Sequence, residues 1–191
     1  MTAEKSPGNS APGHWDRLKR RDPLAFRAFV VEHERAVFAL LSRITGRGAH
    51  VEDLAQETFL KAYGALPSFD PDGPARLSTW LLTIATRTAI DEKRRTRFPA
   101  TDRSDETAHA SRSPEGEALR EELGRAIERA AALLPEDQRA ALVLAEFHGF
   151  SMQEIGVALD VSEATAKTRL FRAREKMRAE LRAFRLEEAK P

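Results

Sequence analysis

Hydrophobic residues recur at helical spacing along most of the chain, and this pattern predicts an all-α fold. After Asp22-Pro23, apolar side chains at positions 26, 29, 30, 37, 40, 41 and 44 lie on one helical face, which ends before Gly46. The same spacing predicts helices at about 51–65, 77–97, 118–133, 136–148, 152–159 and 163–186. No segment shows a strand pattern.

Two polar segments divide the chain into two small helical domains. Residues 1 to about 20 are rich in Pro, Gly and Ser, so a disordered N-terminal tail is predicted at 1–21. Residues 99–117 contain hardly any large apolar side chain and cannot bury enough surface to fold alone. We therefore predict one domain at 22–98, a flexible acidic linker at 99–117 and a second domain at 118–187. A turn-forming loop at 68–74 lies inside the first domain.

The net charge of +1 conceals an uneven distribution of charge. From Ser162 to Arg185 there are eight basic and three acidic residues, and from Arg87 to Arg97 there are five basic and two acidic ones. Between them, Thr101 to Glu122 has seven acidic and three basic residues. Two basic helical segments on either side of an acidic connector indicate two contacts with a polyanion.

Composition and spacing argue against several classes of protein. The chain has no cysteine, which excludes disulfides and thiolate metal sites. It has no long apolar run and no signal-peptide pattern, so we expect a cytoplasmic protein without membrane insertion. Its five histidines are scattered and no glycine-rich phosphate loop exists, so we expect neither an enzyme nor a cofactor. A calcium loop beginning at Asp70 fails because Leu81 occupies the closing position.

The strongest local motif runs from Gly149 to Leu170 and predicts a helix-turn-helix. Ser151 and Glu154 form a capping box that begins a short helix. A tight turn follows at Asp160, a residue type that tolerates a left-handed conformation, and Ser162 caps the second helix. Such a second helix is suited to a major groove.

The second helix of this motif has a buried stripe and a basic outer face. Ala166, Leu170, Ala173 and Met177 recur on one side. The outward side chains are Thr165, Lys167, Thr168, Arg169 and Arg172, whose types can contact phosphates and base edges. The alternative is a solvated basic face on an ordinary helical hairpin.

Two segments of the first domain carry candidate binding faces. In the helix from 51 to 65, Val51, Leu54, Thr58 and Ala62 can pack inward, with Phe59 beside them, and Asp53, Gln56, Glu57 and Leu60 form an outer stripe suited to a basic protein. In the helix from 77 to 97, Thr79, Thr83, Arg87 and Arg94 form an exposed face suited to single-stranded DNA. Trp80 either stacks on a base or belongs to the core, and the core is favoured. Solvated surface is the alternative for the acidic stripe.

These segments, in this order, resemble the sigma-70 family, specifically its extracytoplasmic-function (ECF) group. The resemblance lies in Glu52-Asp53-Leu54 with Gln56-Glu57 and Phe59-Leu60, in Trp80-Leu81 through Arg94-Arg95, and in Leu134-Pro135 with Gln138-Arg139 through Arg172-Ala173-Arg174. It covers about residues 23–97 and 119–182. Arg87 departs from the pattern, because many members have Asn there.

The resemblance implies a transcription initiation factor with three binding surfaces. Core RNA polymerase would be bound at its β′ clamp by Glu52, Asp53, Gln56, Glu57 and Leu60, and at its β flap by the C-terminal domain. The promoter −10 element would be held by Trp80, Thr83, Arg87, Lys93, Arg94 and Arg95. The −35 element would be read by Ser162, Glu163, Thr165, Lys167, Thr168, Arg169 and Arg172. An anti-sigma factor is a further implied partner, and the acidic linker is expected to mimic RNA in the polymerase channel.

The main alternative is an ordinary helix-turn-helix regulator that acts without being a polymerase subunit. Such a regulator needs a receiver or ligand-binding domain, and residues 1–97 show no strands to build one. A sigma mimic without promoter activity is a further alternative. It has no use for the basic clusters at Lys167/Arg169 and Lys93–Arg95.

Overall fold

Eight α-helices and one 3-10 turn form the part of the chain that the computed structural model describes, residues 14–96 and 114–188. They are α1 (His14–Lys19), α2 (Pro23–Thr45), α3 (His50–Ala65), the turn Leu66–Ser68, α4 (Leu77–Thr96), α5 (Pro114–Ala132), α6 (Glu136–His148), α7 (Met152–Leu159) and α8 (Glu163–Glu188). No strand occurs in these two ranges, which confirms the all-α prediction. Among the described helices, none is both long and apolar enough to cross a membrane.

The first domain is a bundle of α2, α3 and α4, with α1 packed at its side. Its longest helix, α2, begins where the Asp22 carboxylate accepts a hydrogen bond from the Ala25 amide at 2.9 Å. It ends at Gly46, whose φ of +93° lies in the left-handed region that glycine adopts without strain. Most of the predicted inward residues of α2 and α3 are buried, as Leu40 and Ala62 illustrate, whereas Phe26 and Val30 are half-buried.

The N-terminal segment differs from the prediction of a disordered tail through residue 21. His14–Lys19 form a helix, α1, in which the Leu18 side chain is only 1% exposed. The prediction rested on Pro, Gly and Ser content, which is concentrated before residue 14, whereas Trp15 and Leu18 supply apolar surface to bury. Residues 1–13 lie outside the described residues.

The second domain consists of α5, α6 and α7 packed around α8. The α5 helix begins at Pro114, so residues 114–117 are helical where the sequence predicted linker. Proline is tolerated in a first helical turn, because its missing backbone N–H would have no partner within the helix there. Residues 97–113, with most of the predicted linker and its expected role as an RNA mimic, lie outside the described residues.

The two domains pack against each other through α7 on α4 and through α6 on α2 and α4. Arginine side chains make the polar contacts between them. Arg139 Nη1 donates to the Ile44 carbonyl oxygen at 3.0 Å, and Arg47 Nη2 lies 2.7 Å from Glu128 Oε1. The Arg43 guanidinium stacks on the Phe147 ring, 4.3 Å from its centre.

Candidate DNA and polymerase interfaces

The helix-turn-helix forms as its local sequence predicts. The Ser151 hydroxyl accepts from the Glu154 amide at 3.2 Å, while the Glu154 carboxylate accepts from the Ser151 amide at 2.7 Å, which completes the capping box. Asp160 adopts the left-handed conformation at φ +54°, and the Ser162 hydroxyl accepts from the Thr165 amide at 3.2 Å. These local bonds fix where α7 ends and where α8 begins.

The turn of the motif is closed at Gly156, where two backbones approach. The Val161 amide donates to the Gly156 carbonyl oxygen at 2.9 Å. A methyl group at position 156 would lie 2.8 Å from the Val161 carbonyl oxygen and 3.5 Å from the Glu163 amide nitrogen. The angle between α7 and α8 therefore depends on the absence of a side chain at Gly156.

The outer face of α8 carries the exposed candidates for duplex contact. Ala166, Leu170 and Ala173 are buried against the domain, and Met177 is half-buried, as the helical spacing predicted. Six of the seven candidates for the −35 element are exposed: Ser162, Glu163, Thr165, Lys167, Thr168 and Arg172. They lie on the first three turns of α8 and just before them.

Arg169 is the exception to the prediction that these side chains all point outward. Its Nε lies 2.9 Å from Asp137 Oδ2 on α6, and its side chain is only 26% exposed. An arginine held by a carboxylate in this way braces α8 against α6. The sequence prediction had no means of pairing two residues 32 positions apart.

The outer face of α3 presents carboxylates beside an exposed leucine. Glu52, Asp53 and Gln56 are exposed, and the Leu60 side chain is 71% exposed. Val51, Leu54, Thr58 and Phe59 are buried on the opposite side, which confirms the two predicted faces of this helix. The α3 face therefore combines exposed carboxylates with one exposed apolar side chain.

Glu57, also predicted for this face, is bonded within the domain. Its carboxylate lies 2.8 Å from Lys61 Nζ and 3.7 Å from Arg95 Nη2. The hydrogen bond from Lys61 is the main cause that lowers the pKa of Glu57. The structure thus brings Glu57 together with Arg95, two residues that were assigned to different interfaces.

The α4 candidates fall into two groups along the helix. Near its start, Thr83 is half-buried and its hydroxyl donates to the Thr79 carbonyl oxygen at 2.9 Å. At its end, the side chains of Arg94 and Arg95 are largely exposed and lie close to Asp91 and Glu92. Lys93 lies in the same last turn. These cations form a basic end to α4.

Trp80 belongs to a chain of aromatic rings rather than standing alone. It is half-buried, and its ring centre lies 5.1 Å from that of Phe69. The Phe69 ring in turn lies 5.2 Å from Trp15 of α1, in an edge-to-face arrangement. The ring therefore packs on the core, as the sequence analysis favoured, and keeps one part accessible.

Arg87 lies in a crevice between the two domains. Its Nη2 donates to the Val157 carbonyl oxygen of α7 at 2.7 Å. The crevice is also lined by Gly156, Asp160 and Ser162 of the helix-turn-helix. The assigned −10 and −35 surfaces thus face each other in this arrangement.

Arg139 is a residue whose structural role the sequence analysis missed. Besides Ile44, its guanidinium donates to the carbonyl oxygens of Ala132 at 2.7 Å and Leu134 at 3.3 Å. Its burial lowers its pKa. Arg139 therefore joins the end of α2 to the turn between α5 and α6. The sequence feature that could have indicated this role is the position of Arg139 close to Leu134-Pro135, in the C-terminal segment on which the family resemblance rests.

The described residues form a two-domain helical protein with a helix-turn-helix and an exposed acidic face on α3. Two family models match the chain. The model of sigma-70 region 2 matches residues 29–98, and the model of sigma-70 region 4 matches residues 124–177. The first match falls on the first helical domain and the second match on the second domain.

Individual relatives agree with these matches. The chain is 36% identical to the RNA polymerase sigma-H factor of Pseudomonas aeruginosa and 37% identical to the ECF RNA polymerase sigma-E factor of Escherichia coli K12. Each match covers 84% of this chain and 88% of the relative. The fold is similar to the sigma factor RpoE of Bartonella quintana, solved with the anti-sigma factor NepR, with a TM-score of 0.66 and 22% identity over 82% of this chain and 96% of that one.

The chain therefore belongs to the sigma-70 family of RNA polymerase sigma factors, within the ECF group. Its function is to direct RNA polymerase to promoters. The family consists of transcription initiation factors and not of enzymes.

Proposed function

We propose that the three faces described above divide the work of promoter-directed initiation, in the cytoplasm where RNA polymerase acts. The α3 face binds the β′ clamp of core polymerase, the start of α4 with the preceding loop holds one strand of the −10 element, and α8 enters the major groove of the −35 element. The observation that carries this proposal is the separation on α8 between buried Ala166, Leu170 and Ala173 and exposed Lys167 and Arg172.

The contact with −35 DNA rests on four exposed side chains of α8. Lys167 and Arg172 supply charge for phosphates or guanine edges, and Thr165 and Thr168 supply hydroxyls. Arg169 contributes indirectly, because its ion pair with Asp137 fixes the orientation of α8. Arg169 therefore has a positioning role here, whereas the sequence predicted that it contacts the −35 element directly.

The contact with core polymerase rests on the α3 face. Glu52 and Asp53 offer carboxylates to a basic partner, and Leu60 offers apolar area that a partner would remove from water. Glu57 holds α3 to the end of α4 through Lys61 and Arg95. Its contribution is to the shape of the face rather than to its charge.

Simultaneous contact with both promoter elements requires the domains to separate. Elements named for positions −35 and −10 are about 25 base pairs apart, which is about 85 Å at about 3.4 Å per base pair. The described arrangement holds Arg87 within 2.7 Å of the helix-turn-helix, and both assigned DNA faces line one crevice. We assign this arrangement to the factor before it binds polymerase and DNA.

An anti-sigma factor is a further partner in this proposal. The similar sigma factor of Bartonella quintana was solved in complex with an anti-sigma factor. The α3 face, with exposed Asp53 and Leu60, is the surface assigned to polymerase. An inhibitor would therefore need to cover this face. Inhibition then follows from competition for one face.

Two pairs of substitutions test the division of work. Lys167→Ala with Arg172→Ala is expected to weaken binding of the holoenzyme to −35 duplex DNA at least about thirtyfold, since each such contact contributes about 1–3 kcal/mol and the two together at least about 2 kcal/mol. It should leave core binding unchanged. Asp53→Lys with Leu60→Ala is expected to weaken core binding at least about tenfold. Both affinities are measured by fluorescence anisotropy with labelled DNA and labelled factor.

A matched control is available on α8 itself. Arg182 is exposed and lies about 22 Å along the helix from Lys167, at about 1.5 Å per residue. Arg182→Ala should weaken −35 binding far less than the Lys167 and Arg172 pair. Equal losses for the pair and the control would mean that general positive charge, and not this face of α8, binds the duplex.

A further inference from the structure

The α1 helix places a tryptophan against the loop that leads into α4. The rings of Trp15, Phe69 and Trp80 form a continuous row with centre-to-centre distances of 5.2 Å and 5.1 Å. Phe69 is in the middle and is only 8% exposed. Trp15 lies before residue 29, where the match to sigma-70 region 2 begins.

Several bonds hold α1 in its place beside the end of α3. Arg21 Nη2 donates to the Gly64 carbonyl oxygen at 2.9 Å, and its guanidinium lies over the Tyr63 ring. Arg17 Nη2 lies 3.1 Å from Asp22 Oδ1, the carboxylate that also caps α2. The buried Leu18 completes the attachment. Trp15 is therefore presented by an anchored element.

Phe69 is the one large apolar side chain between Ser68 and Arg76, so it anchors that loop. The rest of the loop is a polar turn, in which the Asp72 amide donates to Asp70 Oδ1 at 3.0 Å and the Gly73 amide to the Asp70 carbonyl oxygen at 3.2 Å. These two bonds lie within the turn. Phe69 is the buried residue of this loop, and its ring packs between Trp15 on one side and Trp80 on the other.

We infer that Trp15 is a positioning residue for capture of the −10 strand: its ring fixes Phe69, and through it the loop at 69–76 and the orientation of Trp80. The inference rests on the proposed function, in which this loop and the start of α4 hold a single strand. Loss of the Trp15 ring leaves one side of Phe69 without a partner. The loop must then be ordered when the strand binds, which lowers affinity for the strand.

The test compares Trp15→Ala with Trp15→Phe in the reconstituted holoenzyme. The probe is a fluorescein-labelled non-template strand carrying the −10 element of a promoter from which the wild-type holoenzyme transcribes. Trp15→Ala is expected to weaken strand binding about twofold to tenfold, the range for losing one aromatic pair, with core binding unchanged. Trp15→Phe keeps an aromatic edge on Phe69 and is expected to restore most of the affinity.

A second readout reports on Trp80 directly in the free protein. The chain has two tryptophans, so replacing Trp15 leaves Trp80 as the only one. In Trp15→Ala, its emission should shift to longer wavelength as Phe69 and Trp80 become more exposed to water. In Trp15→Phe, the emission of Trp80 should match its contribution to the wild-type spectrum. That contribution is obtained by subtracting the emission spectrum of Trp80→Phe from that of the wild type.

A control variant separates positioning from general destabilisation. Val37 is fully buried in α2 and does not belong to the aromatic row, so Val37→Ala destabilises the domain without touching the loop. For each variant, the loss of affinity for the strand is divided by the loss of affinity for core polymerase. If this ratio is the same for Trp15→Ala and Val37→Ala, Trp15 is a packing residue only and the inference is overturned. Unchanged strand binding by Trp15→Ala overturns it as well. A wild-type holoenzyme that does not bind the strand at all would refute the proposed function itself.

Discussion

Cross-linking position 47 to position 128 is expected to abolish promoter-directed transcription. Arg47 and Glu128 form an ion pair between the two domains at 2.7 Å, and both side chains are more than half exposed, so a reagent reaches them. The chain has no cysteine, so Arg47→Cys with Glu128→Cys provides a unique pair for a cleavable bismaleimide. A linked factor cannot span two elements about 85 Å apart at about 3.4 Å per base pair. Transcript yield from a promoter carrying both elements should fall at least about tenfold.

Two controls make this result specific to domain separation. Cleaving the linker should restore transcription in the same sample. Glu175→Cys with Arg178→Cys, an ion pair within α8, accepts the same reagent without joining the domains and should keep its activity. Full transcription by the linked Arg47→Cys, Glu128→Cys factor would show that the factor works in the closed arrangement, contrary to our proposal.

Among substitutions that add one methyl group to the second domain, Gly156→Ala is expected to cause the largest loss of stability and of −35 binding. The new Cβ would lie 2.8 Å from the Val161 carbonyl oxygen, so α8 must move away from α7. We expect the free energy of unfolding to fall by about 1–3 kcal/mol, the usual cost of overpacking, and −35 binding to fall at least about tenfold. Thermal unfolding and anisotropy with −35 duplex measure the two effects.

Gly124→Ala is the matched control, with the opposite expected sign. Gly124 lies in α5 of the same domain, and a Cβ there meets no atom within 4 Å. Replacing a helical glycine by alanine stabilises a helix by about 0.5–1 kcal/mol. If Gly156→Ala proved as stable as wild type, the close approach of α7 and the turn would not determine the geometry of the motif.

The helices and the helix-turn-helix were predictable because short-range signals encode them. Ser151 with Glu154 caps α7, Asp160 adopts the left-handed turn, and Ser162 caps α8, each through bonds between residues at most three or four positions apart. The buried stripe of α8 followed from spacing alone. Local rules therefore predicted the helices from α2 to α8 and the buried and outer faces of α3 and α8.

The roles of charged residues were less predictable, because they depend on partners distant in sequence. The pairing of Arg169 with Asp137 and of Glu57 with Arg95 requires knowledge of how helices pack. The same holds for Arg139, whose acceptors include Ile44 in the other domain. The α1 helix was missed for a different reason, since the composition of the first 13 residues was extended to a segment that carries Trp15 and Leu18.

The central claim, that the chain gives core RNA polymerase its promoter specificity through these faces, is tested most directly by reconstituted transcription. Purified factor is added to sigma-free core polymerase with a library of native promoter fragments, and the RNA 5′ ends are mapped. We expect start-site-specific transcripts that depend on the factor and disappear with Lys167→Ala and Arg172→Ala. Binding of the factor to DNA without core polymerase, with no transcripts when core is present, would contradict this account and indicate an ordinary helix-turn-helix regulator.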